Sequence, residues 1–333
     1  MQVISTTAAA LKPTAIALGN FDGVHRGHQA VIQPVLQREL ALAGVAESSH
    51  HPAERVYSTV VTFTPHPREF FTGDRRPLLT PLAEKVQQFA HLGLEQLVLL
   101  PFDHDLARLS PAVFVEEILL RQLQAQRISI GADFHFGRDR AGTATDLQMI
   151  AARHGCEVAI APLQTLSAER ISSSRIRTAL AAGEVATANH LLGRAYALIG
   201  TVVRGQQLGR QLGFPTANLQ LPTDKVLPRY GVYAAQVTLG NDPQTAPRHA
   251  AVINLGCRPT VNAGDAPTVE VHLLDWQGDL YGQELAVSLQ RFLRPEQRFD
   301  SLDALKAQIQ QDCTVARQQL AALDLPSAAS PQP

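Results

Sequence analysis

The sequence predicts an α/β protein of two domains: an N-terminal doubly wound parallel sheet and a C-terminal small antiparallel β-barrel with a terminal helix. The length of 333 residues fits two domains of about 100–200 residues each. In the first half, short apolar runs alternate with stretches of helical period, which is typical of a parallel sheet covered on both faces. In the second half, short strands follow one another without helices between them, which indicates a barrel.

The first half contains predicted strands at 14–18, 59–63, 96–100, 127–130 and 158–162. Predicted helices lie between them, at 29–42, 82–92, 111–123 and 146–154. Pro34 lies inside the first helix and is expected to kink it, because proline lacks a backbone N–H. Ligands of such a sheet bind at the carboxyl ends of its strands. Functional residues are therefore expected directly after the strands.

The second half contains predicted strands at 197–203, 231–239, 249–255, 268–274 and 284–292. An apolar stripe at helical spacing then predicts a terminal helix packed on the barrel. Cys313 falls on that stripe and is expected to be a core residue. We expect domains over 1–185 and 186–325, followed by a disordered tail rich in proline and small residues over 326–333.

Composition limits the classes of function. The net charge of -1 gives no overall attraction to nucleic acid or to anionic membranes, so phosphates must be bound by local sites. No signal peptide and no apolar run of membrane-spanning length is recognisable. The three cysteines are far apart and match no metal site or disulfide framework, which predicts a cytoplasmic protein.

The glycine-rich stretch after the first predicted strand is the strongest chemical signal. It reads Gly-Asn-Phe-Asp-Gly-Val-His-Arg-Gly-His over 19–28. A strand-to-helix turn of this kind can direct backbone N–H groups at a phosphate. Imidazoles there can donate hydrogen bonds to phosphoryl oxygens as charge builds up. The simpler alternative is a capped turn with two surface histidines. We interpret His25 and His28 as catalytic residues, with Gly27 allowing close backbone approach between them.

Three further motifs follow in the first half. The segment 62–67, Thr-Phe-Thr-Pro-His-Pro, holds His66 in a rigid loop, although a plain strand exit would look similar. The segment 131–138 combines aromatic faces for a flat ring with a carboxylate and a basic side chain. The segment 171–177, Ile-Ser-Ser-Ser-Arg-Ile-Arg, combines hydroxyls, a helix N-terminus and two arginines. It predicts an anion site, the alternative being a capped helix with solvated arginines.

The second half has its own glycine-rich stretch, at 200–218. It is not a Walker sequence, because no Gly-Lys-Ser/Thr closes it, but its glycines could form a loop over phosphates. Thr216 and Asn218 offer hard oxygen ligands suited to Mg²⁺, the alternative being a glycine-rich hairpin. Glu270 has apolar neighbours and is either a solvent-facing strand residue or a carboxylate that points into a site. The segment 294–299 is expected to close over a flat ligand.

Together these motifs resemble the bacterial bifunctional riboflavin kinase/FAD synthetase family. The matches to its adenylyltransferase half, a nucleotidyltransferase domain, are 19–28, 62–67, 131–137 and 171–177. The matches to its riboflavin kinase half, a flavokinase barrel, are 205–218, 254–260, 269–282 and 294–312. Trp276, where the family usually has Phe, and Pro34 are departures that affect no proposed catalytic atom.

The resemblance implies a role for each matched residue. In the adenylyltransferase half, the residues implied to bind ATP and its phosphates are Gly19, Asn20, Phe21, Gly27, Ser172, Ser174 and Arg177. The flavin would be bound there by His66, Asp133 and Phe134. In the kinase half, ATP would be bound by Gly205, Gly209, Arg210 and Gly213, and flavin by Arg294. Thr216 and Asn218 would hold Mg²⁺, and Glu270 would act as the general base.

The implied reactions are phosphorylation of riboflavin by ATP, giving FMN, and adenylylation of FMN by a second ATP, giving FAD and pyrophosphate. The implied cofactor is Mg²⁺, with ATP as co-substrate. One alternative is a nucleotidyltransferase for another substrate, such as pantetheine phosphate, with a passive barrel; the segment 215–218 together with Glu270 argues against it. The other is a non-catalytic flavin-binding protein, and the presence of both histidines and Glu270 argues against that. The sequence does not predict the oligomeric state.

Overall fold

The computed structural model describes residues 1–36, 55–205, 209, 212–240, 242, 247–258 and 266–324. Its contacts divide the chain into two compact units, Met1–Ser173 and Ser174–Pro333. The predicted fold class is confirmed, with a parallel sheet in the first unit and a closed antiparallel barrel in the second. The division lies inside the predicted first domain of 1–185, and that boundary remains a prediction. The predicted tail at 326–333 lies outside the described residues.

Six strands form the main sheet of the first unit: β1 Gln2–Ile4, β2 Thr14–Leu18, β3 Tyr57–Thr64, β4 Gln96–Pro101, β5 Ala125–Gly131 and β6 Glu157–Ala161. Their order is β1-β4-β3-β2-β5-β6, and every neighbouring pair is parallel. The chain winds from β2 through β3 to β4 and then returns to β5 on the other side. The topological switch point, where such sheets bind ligands, therefore lies between β2 and β5.

Six helices accompany this sheet: α1 Arg26–Leu36, α2 Pro67–Thr72, α3 Leu82–His91, α4 His104–Arg108, α5 Pro111–Val113 and α6 Ala144–Ala152. α5 continues as a π-helix over Phe114–Gln122. α1 begins earlier than predicted and includes Pro34, whose carbonyl oxygen accepts a hydrogen bond from Arg127 at 3.1 Å. The rest of the predicted helix, 37–42, lies outside the described residues. A small hairpin of β7 Thr165–Leu166 and β8 Glu169–Arg170 follows the sheet.

The second unit is built on a closed barrel in the order β10-β13-β12-β11-β14-β9. Its strands are β9 Tyr196–Val203, β10 Ala217–Gln220, β11 Gly231–Leu239, β12 His249–Arg258, β13 Ala266–Leu273 and β14 Glu284–Arg294. The helices whose bounds lie within the described residues are α7 Ser173–Ala182, which begins at the last residue of the first unit, α8 Val185–Leu192 and α9 Leu302–Asp324. The short polar strand β10 was not predicted.

The terminal helix α9 packs on the outside of the barrel, as its apolar stripe predicts. Cys313, Ala316 and Leu320 are buried in one cluster with Val232 of β11 and Val252 of β12. Cys313 is 2% exposed, which confirms it as a core residue. Among the described helices, none has the length and apolar character needed to cross a membrane.

We expect a fragment that begins at Ser174 to be more stable than one that begins at Ala186. The Arg229 N–H donates to the Leu180 carbonyl at 2.8 Å, and its guanidinium donates to the Ala182 carbonyl at 3.4 Å. The shorter fragment loses both bonds. Losing one such bond costs about 1 kcal/mol, which lowers the melting temperature by about 2–4 °C in a chain of this size. Equal melting temperatures of the two fragments would contradict this expectation.

His66 begins α2 as its N-cap. Its Nδ1 accepts a hydrogen bond from the Arg68 N–H at 3.0 Å, and Glu69 accepts one from the His66 N–H at 3.4 Å, which completes a capping box. Burial lowers the pKa of His66, and the nearby Glu69 carboxylate only partly opposes this. The imidazole is therefore held neutral with its proton on Nε2.

The stability that His66 contributes should depend on pH. It is present above the unfolded-state pKa of about 6.5 and is lost as pH falls through the lower folded-state pKa, because the unfolded chain binds the proton first. Asparagine is a preferred N-cap that does not titrate here. We expect His66→Asn to match the parent at about pH 7.5 and to melt at a higher temperature at about pH 5. His66→Ala should lose about 0.5–2 kcal/mol at about pH 7.5 and less at about pH 5, where the cap of the parent is weakened by protonation. Identical pH dependence of melting in the parent and His66→Asn would contradict the capping argument.

Candidate active sites

The turn after β2 is held in a strained shape. Phe21 and Val24 have φ angles of 52° and 44°, in the left-handed region that costs such residues on the order of 1–3 kcal/mol. The Asp22 carboxylate accepts a hydrogen bond from the Leu79 N–H at 2.9 Å, which ties the turn to the segment before α3. The backbone at the carboxyl end of β2 is thereby fixed.

A buried lysine supports the same turn. Lys85 of α3 donates from Nζ to the Asn20 carbonyl oxygen at 3.2 Å, and the Thr62 hydroxyl donates to the same oxygen at 3.2 Å. Burial lowers the pKa of Lys85, and the Asp22 carboxylate partly opposes this. No sequence motif marks Lys85, because it lies in an ordinary amphipathic helix.

The two predicted catalytic histidines lie together at the start of α1. The rings of His25 and His28 stack with centroids 3.6 Å apart and an interplanar angle of 13°. His25 is 5% exposed, and its Nδ1 accepts a hydrogen bond from the His28 N–H at 3.2 Å. Neutral His25 therefore carries its proton on Nε2, a donor suited to a phosphoryl oxygen. A Cβ on Gly27 would lie 3.1 Å from the His25 ring, so a larger residue here would displace that ring by a few tenths of an ångström.

Phe21 supports this pair of histidines. Its ring is buried and packs edge to face with the rings of His28 and Phe89, with centroids 5.3 Å and 5.7 Å apart. A Cβ on Gly19 would lie 3.3 Å from the Phe21 ring. The predicted contribution of Phe21 to phosphate binding is therefore confined to its backbone, whereas the Asn20 side chain is exposed.

The predicted anion site at 171–177 is divided between the two units. Ser172 and Ser173 belong to the first unit, and Ser174 and Arg177 belong to the second. Within the first unit, the Ser173 hydroxyl donates to the Asp22 carbonyl at 2.7 Å, so the motif is tied to the strained turn. The role of Ser172, Ser174 and Arg177 in ATP binding remains a prediction.

The predicted flavin-binding residues follow β3 and β5. His66 is occupied as the cap of α2, Asp133 pairs with Arg170, and the Phe134 ring stacks on Phe136 with centroids 5.9 Å apart. β5 adjoins β2 at the switch point, so Asp133 and Phe134 follow the strand next to the histidine turn.

A cluster of aromatic rings near His66 was missed by the sequence analysis. Phe70 and Phe71 of α2 meet each other and Phe102 edge to face, with centroids between 5.2 and 5.8 Å apart. Phe71 is 70% exposed, which is unusual for so large an apolar side chain. The segment 67–72 contains two adjacent phenylalanines, and this is the signal that could have identified the cluster.

The second unit has a cavity of about 430 Å³ between the barrel wall and α9, and most of the predicted kinase residues line it. Those residues are Gly209, Thr216, Asn218, Glu270 and Arg294. Glu270 on β13 pairs in register with Asn218 on β10 and with Asn254 on β12. The three polar side chains therefore form a row across neighbouring strands, and Asn254 was not predicted.

The glycine-rich loop lies directly on two of these side chains. A Cβ on Gly205 would overlap the Asn218 amide, and one on Gly209 would lie 3.1 Å from the Thr216 hydroxyl. The Phe214 N–H donates to the Gly209 carbonyl at 2.8 Å, and Gly213 takes a φ of 87°. Arg210, predicted to bind ATP, lies outside the described residues.

The donor set of this cavity fits Mg²⁺. The Thr216 hydroxyl, the Asn218 amide and the Glu270 carboxylate provide hard oxygen atoms, and nucleotide phosphates would supply further ones. In the described part of the chain, no group of three or more His, Cys, Asp or Glu could hold a metal ion. Such a site would therefore depend on the nucleotide, as is usual for Mg²⁺.

Arg294 is fixed before any flavin binds. It pairs with Asp312 of α9 in a forked arrangement of 2.8 and 3.1 Å, and the Gln308 amide donates to the same carboxylate at 3.0 Å. Its guanidinium also lies 5.7 Å from the centre of the Phe299 ring. The predicted loop at 294–299 thus borders the cavity, held to α9 by an ion pair that is not apparent from the sequence.

A second cavity of about 550 Å³ shares Thr216 with the first. It is lined by Val271 and Leu273, from the face of β13 opposite to Glu270, and by Trp276. Two cavities with one hydroxyl in common suit a reaction between two bound substrates.

Comparison with known proteins gives the same division of the chain. Residues 7–175 match the FAD synthetase family and residues 192–320 match the riboflavin kinase family. The bifunctional riboflavin kinase/FMN adenylyltransferase of Pseudomonas fluorescens is 43% identical over 93% of each chain, and that of Escherichia coli K12 is 40% identical over 91% of each.

A solved structure also shares the fold. The crystal structure titled macrolide-efflux protein, from Streptococcus pneumoniae, has a TM-score of 0.80 and 29% identity, covering 95% of this chain and 98% of its own. The sequence relatives cover nearly all of both units and agree with the motifs in each. The chain therefore belongs to the bifunctional riboflavin kinase/FMN adenylyltransferase family.

Proposed function

We infer that the two units catalyse successive steps of FAD synthesis. The second unit transfers the γ-phosphoryl group of ATP to riboflavin and forms FMN. The first unit transfers AMP from a second ATP to FMN and forms FAD and pyrophosphate. Family membership supports both reactions. The observation that carries the kinase assignment is the convergence of Thr216, Asn218 and Glu270 on one cavity of the unit that matches riboflavin kinase.

The kinase step needs a base, because the ribityl 5′-hydroxyl of riboflavin is a weak nucleophile. Glu270 lines the cavity and would accept the hydroxyl proton as the oxygen attacks the γ-phosphorus. The bond to the β-phosphate oxygen breaks, and ADP leaves. Thr216 and Asn218 would hold Mg²⁺, which when bound neutralises charge on the phosphates.

The two cavities suggest where the substrates bind. We assign riboflavin to the cavity that contains Glu270 and Arg294, and the nucleotide to the cavity lined by Trp276. Thr216 lines both cavities, so a phosphoryl group transferred from the nucleotide to riboflavin would pass this residue. Gly205, Gly209 and Gly213 belong to the loop that would cover the phosphates.

The adenylyl step needs no base, because the FMN phosphate is already an anion. One of its oxygens attacks the α-phosphorus of ATP, and the bond to the pyrophosphate oxygen breaks. The protein has to align the two phosphates and stabilise the charge that develops between them. His25 and His28 would supply hydrogen bonds at this point, and the backbone at Gly19 and Asn20 would help to bind the phosphates.

The flavin ring in the first unit would be bound by residues after β3 and β5. His66, Asp133 and Phe134 keep this proposed role, and we add the exposed ring of Phe71 to it. An exposed aromatic surface can stack on an isoalloxazine ring. A cytoplasmic location is proposed from the cysteine content alone.

Incubation of the protein with riboflavin, ATP and Mg²⁺, followed by chromatography, tests the proposed function. We expect FMN to appear first and FAD to follow. With FMN supplied in place of riboflavin, FAD should form directly. Formation of neither product would contradict the proposal, and FAD formation from FMN alone would restrict the activity to the first unit.

We expect His28→Ala to lose most FAD formation while FMN still accumulates. Removing a hydrogen-bond donor to developing charge costs roughly 100–1000-fold in rate. His154→Ala is the matched control, since this histidine is a surface residue of the same unit, 3.5 Å from Glu116. FAD synthesis from FMN is measured for the three proteins. A normal rate in His28→Ala would remove this residue from the mechanism.

We expect Glu270→Gln to stop the conversion of riboflavin to FMN. Glutamine keeps the shape of the side chain but removes its basicity, and losing a general base costs about 100–10,000-fold. The variant should still turn supplied FMN into FAD, which separates loss of the base from misfolding. Glu284→Gln is the control, because Glu284 is an exposed carboxylate on β14. Kinase turnover within a few-fold of the parent would exclude Glu270 as the base.

A further inference from the structure

One imidazole connects the glycine-rich loop to strand β13. The ring nitrogen Nδ1 of His272 lies 2.8 Å from the Pro215 carbonyl oxygen. Because a carbonyl oxygen can only accept, Nδ1 carries the proton and donates it. The edge of the same ring meets Phe214, with centroids 5.7 Å apart and an interplanar angle of 83°. His272 thus contacts two consecutive residues of the loop.

The two ends of this connection line different cavities, Pro215 the second and His272 the first. Pro215 immediately precedes Thr216, which lies in the walls of both cavities. His272 is two residues after Glu270 on β13, so the two side chains lie on the same face of the strand and line the same cavity. The position of the Thr216 hydroxyl relative to the Glu270 carboxylate therefore depends on the bond from His272 to Pro215 on one side of Thr216 and on the β10–β13 pairing from Ala217 on the other.

Backbone pairing with β13 begins two residues after Pro215, at Ala217, which pairs in register with Val271. Pro215 has no N–H to donate to a neighbouring strand. The bond from His272 to the Pro215 carbonyl oxygen therefore holds the chain to β13 just before that pairing starts.

We propose that His272 is a positioning residue of the kinase, which holds the Pro215 carbonyl and thereby places Thr216 for the magnesium–nucleotide complex. This inference rests on the proposed function. It concerns one atom of the ring, the Nδ1–H donor, and assigns no bond-making step to the imidazole.

Two substitutions separate the ring atoms. Asparagine places an amide N–H close to the position of Nδ1, so His272→Asn keeps the donor to Pro215. Glutamine reaches the position of Nε2 instead, so His272→Gln loses that donor while remaining polar. His190→Gln is a control in the same unit, because His190 is exposed on α8 and lines neither cavity.

The first measurement is the Mg²⁺ concentration that gives half-maximal FMN formation. Loss of a group that orients a metal ligand typically weakens metal binding or activity by about 10–100-fold. We expect His272→Gln to raise this concentration within that range, with a smaller change in the KM for riboflavin. His272→Asn should stay within a few-fold of the parent, and His190→Gln should match it.

The second measurement does not depend on turnover. Trp276 is the single tryptophan of the chain and lines the second cavity, so its fluorescence reports on nucleotide binding in this unit. We expect His272→Gln to weaken binding of ADP with Mg²⁺ but to leave binding of ADP without Mg²⁺ unchanged. FAD formation from supplied FMN should be unaffected in every variant.

Several results would overturn the inference. One is His272→Gln with the Mg²⁺ dependence of the parent. Another is His272→Asn with its Mg²⁺ requirement raised about 10-fold or more over the parent, which would point to the ring or to Nε2; this result decides the matter even if His272→Gln does not fold. If the parent protein itself forms no FMN from riboflavin, the proposed function fails instead, and the two failures are distinguishable.

Discussion

A β-strand offers only every second side chain to each of its faces, and this constraint determines where chemistry is found in both units. In the first unit β2 is buried along its whole length, so functional residues occur only after the strand ends. In the barrel, alternate residues of β13 are divided between two faces. Val269, Val271 and Leu273 are buried on one, while Glu270 and His272 line the cavity on the other.

In the first unit, the backbone conformation after the strand β2 is held by contacts with residues distant in sequence. The turn with Phe21 and Val24 at positive φ would relax if left alone, since both residues disfavour this conformation. Lys85 donates to the Asn20 carbonyl of the turn, the Asp22 carboxylate accepts from the Leu79 N–H before α3, and the Ser173 hydroxyl donates to the Asp22 carbonyl. The strain is therefore balanced by three separate parts of the unit, which keeps the histidine pair in one arrangement.

Local patterns predicted most of the fold, because period and turn residues are local properties. The predicted strands at 14–18 and 231–239 coincide with β2 and β11. β10 was missed because its four residues follow a glycine-rich loop and pair only with the distant strands β9 and β13. The same limit applies to the candidate sites: motifs pointed to Thr216 and Glu270, which line one cavity, whereas Lys85, Asn254 and the Arg294–Asp312 pair depend on contacts that the fold creates.

The two reactions make different electrostatic demands on the protein, although the chain carries almost no net charge. The kinase acceptor is a neutral alcohol, so a carboxylate is useful, and Glu270 stands in a row with two neutral amides that do not compete for its proton. The adenylyl acceptor is an anion, so a carboxylate facing it would repel it. There the Asp22 carboxylate is instead bound to backbone N–H groups at Leu79 and Thr80, and the groups at the start of α1 are imidazoles. The difference in acceptor charge thus fits the ionisable side chains found at each candidate site, a carboxylate in the barrel cavity and imidazoles at the start of α1.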